Sequence, residues 1–268
     1  AEGKPLAFHD AVVGGRSVGV PGVLRMLAQA HAQHGKLPWA KLFEPAITLA
    51  KQGFAISPRL HAQLKADAYL PLDATARAYF YTPNGEPHAV GHVLRNPELA
   101  VVLQRIATEG VQAFYSGEVA EAVVRKVQQH PTNPGRLTVS DFANYQAKER
   151  TPVCFDHAAL NQVYRVCGFP PPSSGAIAIG QILGMLQYAP ASLATSALER
   201  GDGTPDPRWL HLYTEASRLA FADRAQYVAD PDFVLAPGGE WQSLLAPTYL
   251  RERAKLIRPT ALQEAVPV

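Results

Sequence analysis

Two stretches of this sequence carry residues whose types and spacing could take part in catalysis. The first, Gly15–Gly19, matches the G-x-S-x-G pattern, in which a serine hydroxyl acts as the nucleophile of a hydrolase. That chemistry requires a strand leading into Ser17 and a helix beginning directly after it. Only three apolar residues, Ala11–Val13, precede the motif, and Gly19–Gly22 delays the next helix. A glycine-loosened turn is therefore the favoured interpretation, and a serine hydrolase that uses Ser17 is kept as the alternative.

The second stretch is Phe169-Pro170-Pro171-Pro172-Ser173-Ser174-Gly175. Consecutive prolines fix φ and remove backbone donors, so Pro170–Pro172 is predicted to form a stiff, extended rod of the polyproline type. An apolar run follows, which predicts a helix capped by Ser173 or Ser174. The free N–H groups at a helix start favour anions and oxyanions. A substrate-site role is weighed against two others: a proline ligand displayed by a helical binding module, and a plain helix-entry loop.

Helices are predicted to position both stretches, because apolar residues recur at helical spacing between proline or cap residues and glycines. One hairpin, formed by Thr151–His157 and Tyr164–Phe169, is predicted to lead directly into the prolines. The fold class expected is predominantly α with one β-hairpin (α+β). We expect a single segment over residues 1–268, with residues 1–16 and 258–268 loosely ordered. The predicted helices are Pro45–Gln52, Arg59–Ala68, Asn96–Gly110, Glu118–Gln129, Ile177–Tyr188, Trp209–Val228 and Pro247–Ile257.

The cysteines, Cys154 and Cys167, both lie in the predicted hairpin. A turn centred near Leu160–Asn161 would place them directly opposite each other, at a separation that permits a disulfide. Two buried free thiols are the alternative, and a shift of one residue in register would point them to opposite faces. The cysteines fit no metal-site spacing and no redox motif.

Composition narrows the classes of function. The chain has 268 residues, 47% hydrophobic and 18% charged, which is typical of a soluble globular protein. A net charge of +2 gives no electrostatic case for a nucleic-acid partner. No apolar run is long enough to span a bilayer, and no signal segment opens the chain at Ala1.

Several stretches, taken in order from about Ser17 to Phe233, resemble the large, N-terminal chain of the gamma-glutamyltranspeptidase family. They are Ser17–Gly22, His34–Ala40 with Pro45 and Gln52–Phe54, Phe114–Gly117, Arg150–Pro152, Pro170–Gly175, and Ala222–Arg224 with Asp230–Phe233. One such match alone would carry little weight, but together and in order they are highly specific.

The resemblance implies an N-terminal-nucleophile hydrolase with an αββα sandwich, made as two chains by self-cleavage of a precursor. The N-terminal threonine of the small chain would attack the γ-glutamyl amide of glutathione or a similar donor, with its own α-amino group as base. Water, an amino acid or a peptide would then accept the γ-glutamyl group. The partners implied are the small chain, the donor and the acceptor. The resemblance implies no cofactor and no metal, and it implies an enzyme located in the periplasm or outside the cell.

The sequence departs from the family pattern at several points. No threonine is followed by histidine before Val268, and the chain begins at Ala1 beyond the family's upstream glycine-rich segment and carboxylate-binding arginine. Ala176 also stands where many relatives carry a second glycine. We therefore expect the middle and C-terminal part of a large chain, with no catalytic residue of its own and no activity alone. A second copy, or rearranged termini, is expected to cover the helix faces that the missing segments would otherwise bury. The residues assigned to a substrate-site rim are Pro171, Pro172, Ser173, Ser174 and Gly175.

Overall fold

Helices dominate the computed structural model, which describes residues 4, 6–159, 161–190 and 200–267. The chain divides into two units, residues 1–148 and 149–268. Over the described ranges, the strands form two small antiparallel sheets of two strands each. The predicted predominance of helix is therefore confirmed, whereas the prediction of one sheet is wrong.

The first unit consists of short and medium helices, with a two-stranded sheet between distant parts of the chain. Its elements are α1 (Phe8–Val12), α2 (Val23–His34), α3 (Glu44–Gln52), β1 (Phe54–Ala55), α4 (Pro58–Ala66), α5 (Ala74–Phe80), β2 (Val93–Leu94), α6 (Pro97–Glu109), α7 (Gln112–Tyr115), α8 (Glu118–Gln128) and α9 (Val139–Asn144). Short 3-10 turns lie at Gly15–Ser17, Trp39–Phe43 and Leu70–Leu72.

Local caps begin several helices of this unit. The Ser57 hydroxyl accepts a hydrogen bond from Leu60 N at 3.1 Å at the start of α4. Asp73 caps α5 and Asn96 caps α6 in the same manner. Thr138 forms a reciprocal capping box at the start of α9. Each cap satisfies one of the backbone donors that a helix start leaves free.

The sheet formed by β1 and β2 was not predicted, because each of its strands is only two residues long. Phe54 pairs with Leu94, and Ala55 pairs with Val93. Two residues cannot display the alternation that predicts a strand, and the partner strand lies far along the chain. Helix α5 was also missed, in the stretch between Tyr69 and Arg95 where the apolar pattern is weak.

Two apolar clusters form the core of the first unit. One joins α3 and α6 to the turn at Trp39–Phe43, and the other lies around Tyr115 and α8. Their buried members are Phe43, Ile47, Ala50, Ala100, Ile106 and Ala107 in one cluster, and Tyr115, Ala120, Val124, Val127, Leu137 and Phe142 in the other.

The second unit places a hairpin beside three helices. Its elements are β3 (Val153–Ala159), β4 (Gln162–Gly168), α10 (Gly175–Gln187), α11 (Pro207–Tyr227) and α12 (Pro247–Ala254), with 3-10 turns at Pro237–Gly239 and Trp241–Leu245. The hairpin, the apolar helix α10 and the amphipathic helix α11 were predicted to within a few residues. Asn161, in the hairpin turn, adopts the left-handed conformation with φ 59°. Leu160, the other residue of the predicted turn, lies outside the described residues.

The core of the second unit is apolar where α10, α11 and α12 meet. Its buried members are Ile182, Met185, Leu212, Ala216, Leu219, Ala220, Leu250, Ala254 and Ile257. A smaller cluster joins Val153 of β3 to Ala176 and Ile177 at the start of α10, together with Leu244. This cluster packs the beginning of the hairpin against the beginning of the helix, on either side of the prolines. None of the described helices combines the length and the apolar character needed to cross a membrane.

Candidate functional site

The proline-rich segment forms a tight turn, and the predicted extended rod is wrong. Ser173 N donates a hydrogen bond to Pro170 O at 3.1 Å, which closes the turn. The peptide bond between Pro171 and Pro172 is cis. A polyproline helix has no internal hydrogen bonds, so the hydrogen bond from Ser173 N to Pro170 O excludes that conformation here. The segment therefore turns the chain from the hairpin into α10 over a few residues.

Ser174 occupies the position before α10, but its side chain does not cap the helix. Its hydroxyl oxygen accepts a hydrogen bond from Arg224 Nε of α11 at 2.7 Å instead. The predicted cap is thus absent at Ser174, whose backbone angles are helical (φ −99°, ψ −9°) and whose hydroxyl binds a partner 50 residues away. Beside it, a Cβ atom added to Gly175 would meet no other atom within 4 Å, so the space in front of this residue is open.

The hairpin holds the other end of the turn. Cys154 lies directly opposite Cys167 and is joined to it by a disulfide, with the Cα atoms 4.1 Å apart. At the end of β4, a Cβ atom on Gly168 would lie 3.0 Å from Ala176 Cβ. Glycine at this position therefore permits close packing of the strand end on the first turn of α10.

A buried polar network lies between α10, α11 and α12. The Asp223 carboxylate accepts hydrogen bonds at Oδ2 from Gln181 Nε2 at 3.0 Å and from the Tyr249 hydroxyl at 2.8 Å. Its Oδ1 lies 2.8 Å from Arg253 Nη2, and both side chains of this ion pair are 1% exposed. Arg253 Nη2 also donates to Leu219 O at 3.0 Å. The network thus connects α10, α11 and α12.

Burial governs the protonation of this network. Removal from water raises the pKa of the Asp223 carboxyl, although the Tyr249 hydroxyl, the Arg253 charge and the Gln181 amide act in the opposite direction. Burial, with the nearby Asp223 carboxylate, likewise raises the pKa of the Tyr249 hydroxyl. Tyr249 therefore remains a hydrogen-bond donor throughout the neutral range. An ion pair of this kind is expensive to disrupt from one side, because the remaining charge stays buried.

Asp223 and Arg224 are consecutive residues of α11 with different partners. Asp223 points into the network described above, and Arg224 reaches the turn at Ser174. A single turn of helix therefore couples the packing of the unit to the position of the proline-rich segment. In the sequence, Ala222–Arg224 is a match to the family, but it does not reveal what the side chains of Asp223 and Arg224 contact.

Charged side chains also hold the chain that follows α12. Glu215, whose side chain is 2% exposed, pairs with Arg218 Nη1 at 2.9 Å and accepts from Leu262 N at 2.9 Å. Arg218 Nη1 donates in turn to Leu262 O at 2.6 Å, and Arg253 Nη1 donates to Val266 O at 2.8 Å. The main chain of residues 262–266 is thus bound by α11 and α12, although it forms no helix or strand.

A further ion pair holds the segment after α11. Arg150 Nη2 lies 3.0 Å from Asp232 Oδ1 and 3.7 Å from Asp230 Oδ1. This contact connects two stretches quoted for the family resemblance, Arg150–Pro152 and Asp230–Phe233. It fixes the chain just before β3.

The structure gives the Ser17 motif no features of a nucleophile elbow. Ser17 ends the 3-10 turn Gly15–Ser17, and its hydroxyl donates to Val12 O at 2.7 Å. No described strand leads into it, and the next helix, α2, begins only at Val23. The hydroxyl therefore stabilises a turn, as the glycine-rich sequence predicted.

Four buried polar residues of the second unit were not predicted as such: Gln181, Glu215, Asp223 and Arg253. The helix predicted over Trp209–Val228 carries Tyr213, Ala216, Leu219 and Ala220 as its apolar residues. The last three are buried, whereas Tyr213 is exposed. Glu215 and Asp223 lie on the same face as these three buried residues, at positions where a carboxylate interrupts the apolar pattern. Such interruptions are the available sequence signal, but they do not reveal the partner.

Comparison with known proteins identifies the family. The family model described as Gamma-glutamyltranspeptidase matches residues 1–268, the whole chain. The chain belongs to the gamma-glutamyltranspeptidase family. The glutathione hydrolase proenzyme of Pseudomonas aeruginosa is 34% identical over 252 residues, which is 94% of this chain and 42% of that protein. The chain thus spans less than half the length of that relative.

Two other proteins widen the comparison. The crystal structure of Helicobacter pylori gamma-glutamyltranspeptidase superposes with a TM-score of 0.81 at 28% identity, covering 98% of this chain and 71% of that one. The acylase ACY 1 proenzyme of Pseudomonas sp. strain V22 is 34% identical over 250 residues, which is 93% of this chain and 41% of that protein. The resemblance inferred from the sequence motifs is thereby confirmed.

Proposed function

We propose that this chain is part of the large chain of an enzyme that transfers or hydrolyses γ-glutamyl groups of glutathione and related amides. The observation that carries the proposal is the match of the family model to all of residues 1–268. The name of the P. aeruginosa relative, glutathione hydrolase proenzyme, supports hydrolysis of glutathione after processing of a precursor. The turn found for Ser17 favours this proposal over a serine hydrolase.

In the proposed reaction, a threonine hydroxyl at the N-terminus of a small chain attacks the γ-glutamyl carbonyl. Its own α-amino group takes the hydroxyl proton and delivers it to the departing amine, so that the C–N bond breaks as an ester forms. Water then releases glutamate, or an amino acid or peptide amine takes the γ-glutamyl group. The large chain contributes no group that forms or breaks a bond in this scheme.

The role proposed for this chain is to form part of the rim of the substrate site. Pro171, Pro172, Ser173, Ser174 and Gly175 are assigned to that rim. Pro171 is buried, whereas Pro172, Ser173 and Gly175 are exposed, and the open space beside Gly175 supports their part of the assignment. The disulfide hairpin and Arg224 hold this turn from both ends. Positioning by fixed groups is worth several orders of magnitude in rate when reacting atoms must be aligned.

The complete enzyme is proposed to adopt the αββα sandwich, with the small chain supplying strands against which these helices pack. Exposed apolar side chains on helix surfaces support this, among them Val23 and Met26 on α2 and Phe221 on α11. We propose export to the periplasm or beyond the cell, where the Cys154–Cys167 disulfide is stable. In the isolated chain, a second copy would cover these faces.

A second candidate is an acylase acting on a related amide. The 34% identity to the acylase ACY 1 proenzyme is the observation that favours it. Both candidates share the nucleophile and differ in whether the acyl group carries an α-amino group. A γ-glutamyl anilide and a glutaryl anilide, which lacks that amino group, therefore distinguish them.

Release of the anilide chromophore tests the function. The precursor that contains this chain should release it from the γ-glutamyl substrate in preference to the glutaryl one. The 268-residue chain alone should match a heat-killed control, since loss of an activated nucleophile costs on the order of a millionfold in rate. Activity of the isolated chain, or labelling of Ser17 by a fluorophosphonate probe, would contradict the proposal.

A further inference from the structure

A cavity of about 540 Å³ opens on the first unit between α2, α7 and the chain that follows α9. Its lining contains the Arg25 guanidinium and the side-chain amides of Gln29, Gln112 and Gln146, with Tyr145 at one wall. The volume lies within the range of small-molecule sites, roughly 300–1,000 Å³. No acidic side chain is among the described residues that line it.

Arg25 is held in place by an aromatic stack. Its Cζ atom lies 4.3 Å from the centroid of the Tyr115 ring, and that ring is parallel to Tyr145 within 5°. Tyr145 in turn lies against the backbone of Gly22, where a Cβ atom would come within 2.2 Å of the Tyr145 hydroxyl. An arginine fixed in this way loses little further freedom when it binds a ligand.

The charge of Arg25 lacks an opposite charge in the part of the chain that the structure describes. No carboxylate among those residues forms an ion pair with it. Within the described residues, the guanidinium donates a single hydrogen bond, a long one of 3.4 Å from Nη2 to Gln112 Oε1. Its Nε atom is buried and has no hydrogen-bond partner among the same residues. A partly buried cation without an anion is unfavourable, and a bidentate carboxylate is its best complement.

The lysine at a larger cavity of the same unit differs in this respect. Lys126 lines a cavity of about 800 Å³, but it already pairs with Asp73, which lines the same cavity. Its charge is therefore compensated within the chain. Arg25, in contrast, is held in position by the aromatic stack, and its charge is not paired with a carboxylate of the described residues.

We propose that the Arg25 cavity binds the carboxylate of an amino acid or short peptide. The guanidinium binds the carboxylate, and the three glutamine amides offer both donors and acceptors to an adjacent peptide group. The walls of the cavity are neutral and rich in amides. They therefore select against highly charged anions, which would find no second cation to bind there. Nothing in this assignment depends on the γ-glutamyl reaction.

Calorimetric titration of the 268-residue chain tests the site, with N-acetylglycine as probe and its neutral amide, N-acetylglycinamide, as matched ligand. N-acetylglycine is expected to bind with a Kd tighter than about 10 mM, and the amide at least about tenfold more weakly. Arg25→Gln should abolish the preference for the carboxylate. Arg59→Gln, which removes an exposed arginine of the same unit, should leave it intact.

Three results of the titration would overturn the proposal. Equal binding of the two ligands, no binding of N-acetylglycine, or unchanged binding by Arg25→Gln overturns it. Competition by sulfate at equal concentration overturns the carboxylate class. If circular dichroism shows that Arg25→Gln is unfolded, Gln112→Leu takes its place. A severalfold weaker binding of N-acetylglycine is then expected, and unchanged binding overturns the proposal.

Discussion

Two serines at corresponding positions, Ser57 before α4 and Ser174 before α10, use their hydroxyl groups differently. Ser57 caps its own helix through Leu60 N, three residues away. Ser174 leaves its helix uncapped and accepts from Arg224, 50 residues away. The difference shows that the same residue at the same helical position can be satisfied locally or by the tertiary fold.

The same contrast extends to the two units. In the described part of residues 1–148, Asn133 is the single buried polar residue, and several helices begin with local caps. In the described part of residues 149–268, the buried polar residues are Gln181, Glu215, Asp223 and Arg253, each bonded to a group on another element or on the chain after α12. The second unit therefore depends more strongly on long-range polar contacts.

The largest effect is expected from Asp223→Ala. The change leaves Arg253 buried without its carboxylate, so the free energy of unfolding should fall by about 3–5 kcal/mol. Urea unfolding followed by circular dichroism measures it. Glu252→Ala, which breaks the exposed pair with Lys255, is the control and should cost less than about 1 kcal/mol. Similar losses in the two variants would remove the proposed difference between buried and exposed pairs.

Loss of the disulfide is expected to have the next largest effect. The two cysteines are separated by 13 residues, and closing a loop of that size stabilises a fold by about 3 kcal/mol. The Cys154→Ser/Cys167→Ser variant should therefore unfold at lower urea concentration than the oxidised protein. Wild-type protein treated with a reductant should behave like the variant. Thiol titration of the unfolded, unreduced chain should find no free thiol, and two per chain would contradict the pairing.

The two serines provide a smaller, paired test. Ser57→Ala removes a cap and should lower the free energy of unfolding by about 1 kcal/mol. Ser174→Ala removes no cap, so its cost should stay below about 0.5 kcal/mol, since Arg224 can reach water. Thermal denaturation of both variants compares them directly. A larger loss for Ser174→Ala would mean that the Arg224 contact stabilises more than a helix cap does.

The smallest effect concerns pH. The Lys126 ammonium and the Ala76 amide hold the pKa of Asp73 below its usual value of 3.8. A lowered folded pKa means that this stabilisation is present above pH 3.8 and is lost as the pH falls through the folded pKa. Asp73→Asn should therefore show a shallower loss of stability than wild type between about pH 5 and pH 2. Urea midpoints across that range measure the slope, and identical slopes would contradict it.

Asp223 contributes to pH dependence with the opposite sign. Its pKa is raised by burial, so the folded state binds this proton more readily than the unfolded state. Its contribution to stability consequently grows as the pH falls through the raised pKa.

The sequence by itself determined the helical character, most helix positions, the hairpin and the family, whereas the pairing of Cys154 with Cys167 was one of two alternatives until the structure decided it. These features depend on signals within a short window: apolar periodicity, cap residues, glycines, prolines and ordered motifs. The family was recognisable because many short matches occurred in order. The two-residue strands β1 and β2 are too short to give such signals, and their pairing joins residues about 40 positions apart.

Only the tertiary structure decided what the polar side chains contact. The proline-rich segment became a turn and Ser174 a partner of Arg224, because β4 and α11 fix both sides of it. Asp223 became a buried ion-pair partner because α12 brings Arg253 against α11. A carboxylate or a serine in a sequence has several ways to satisfy its hydrogen bonds, and the one adopted depends on which distant element packs beside it.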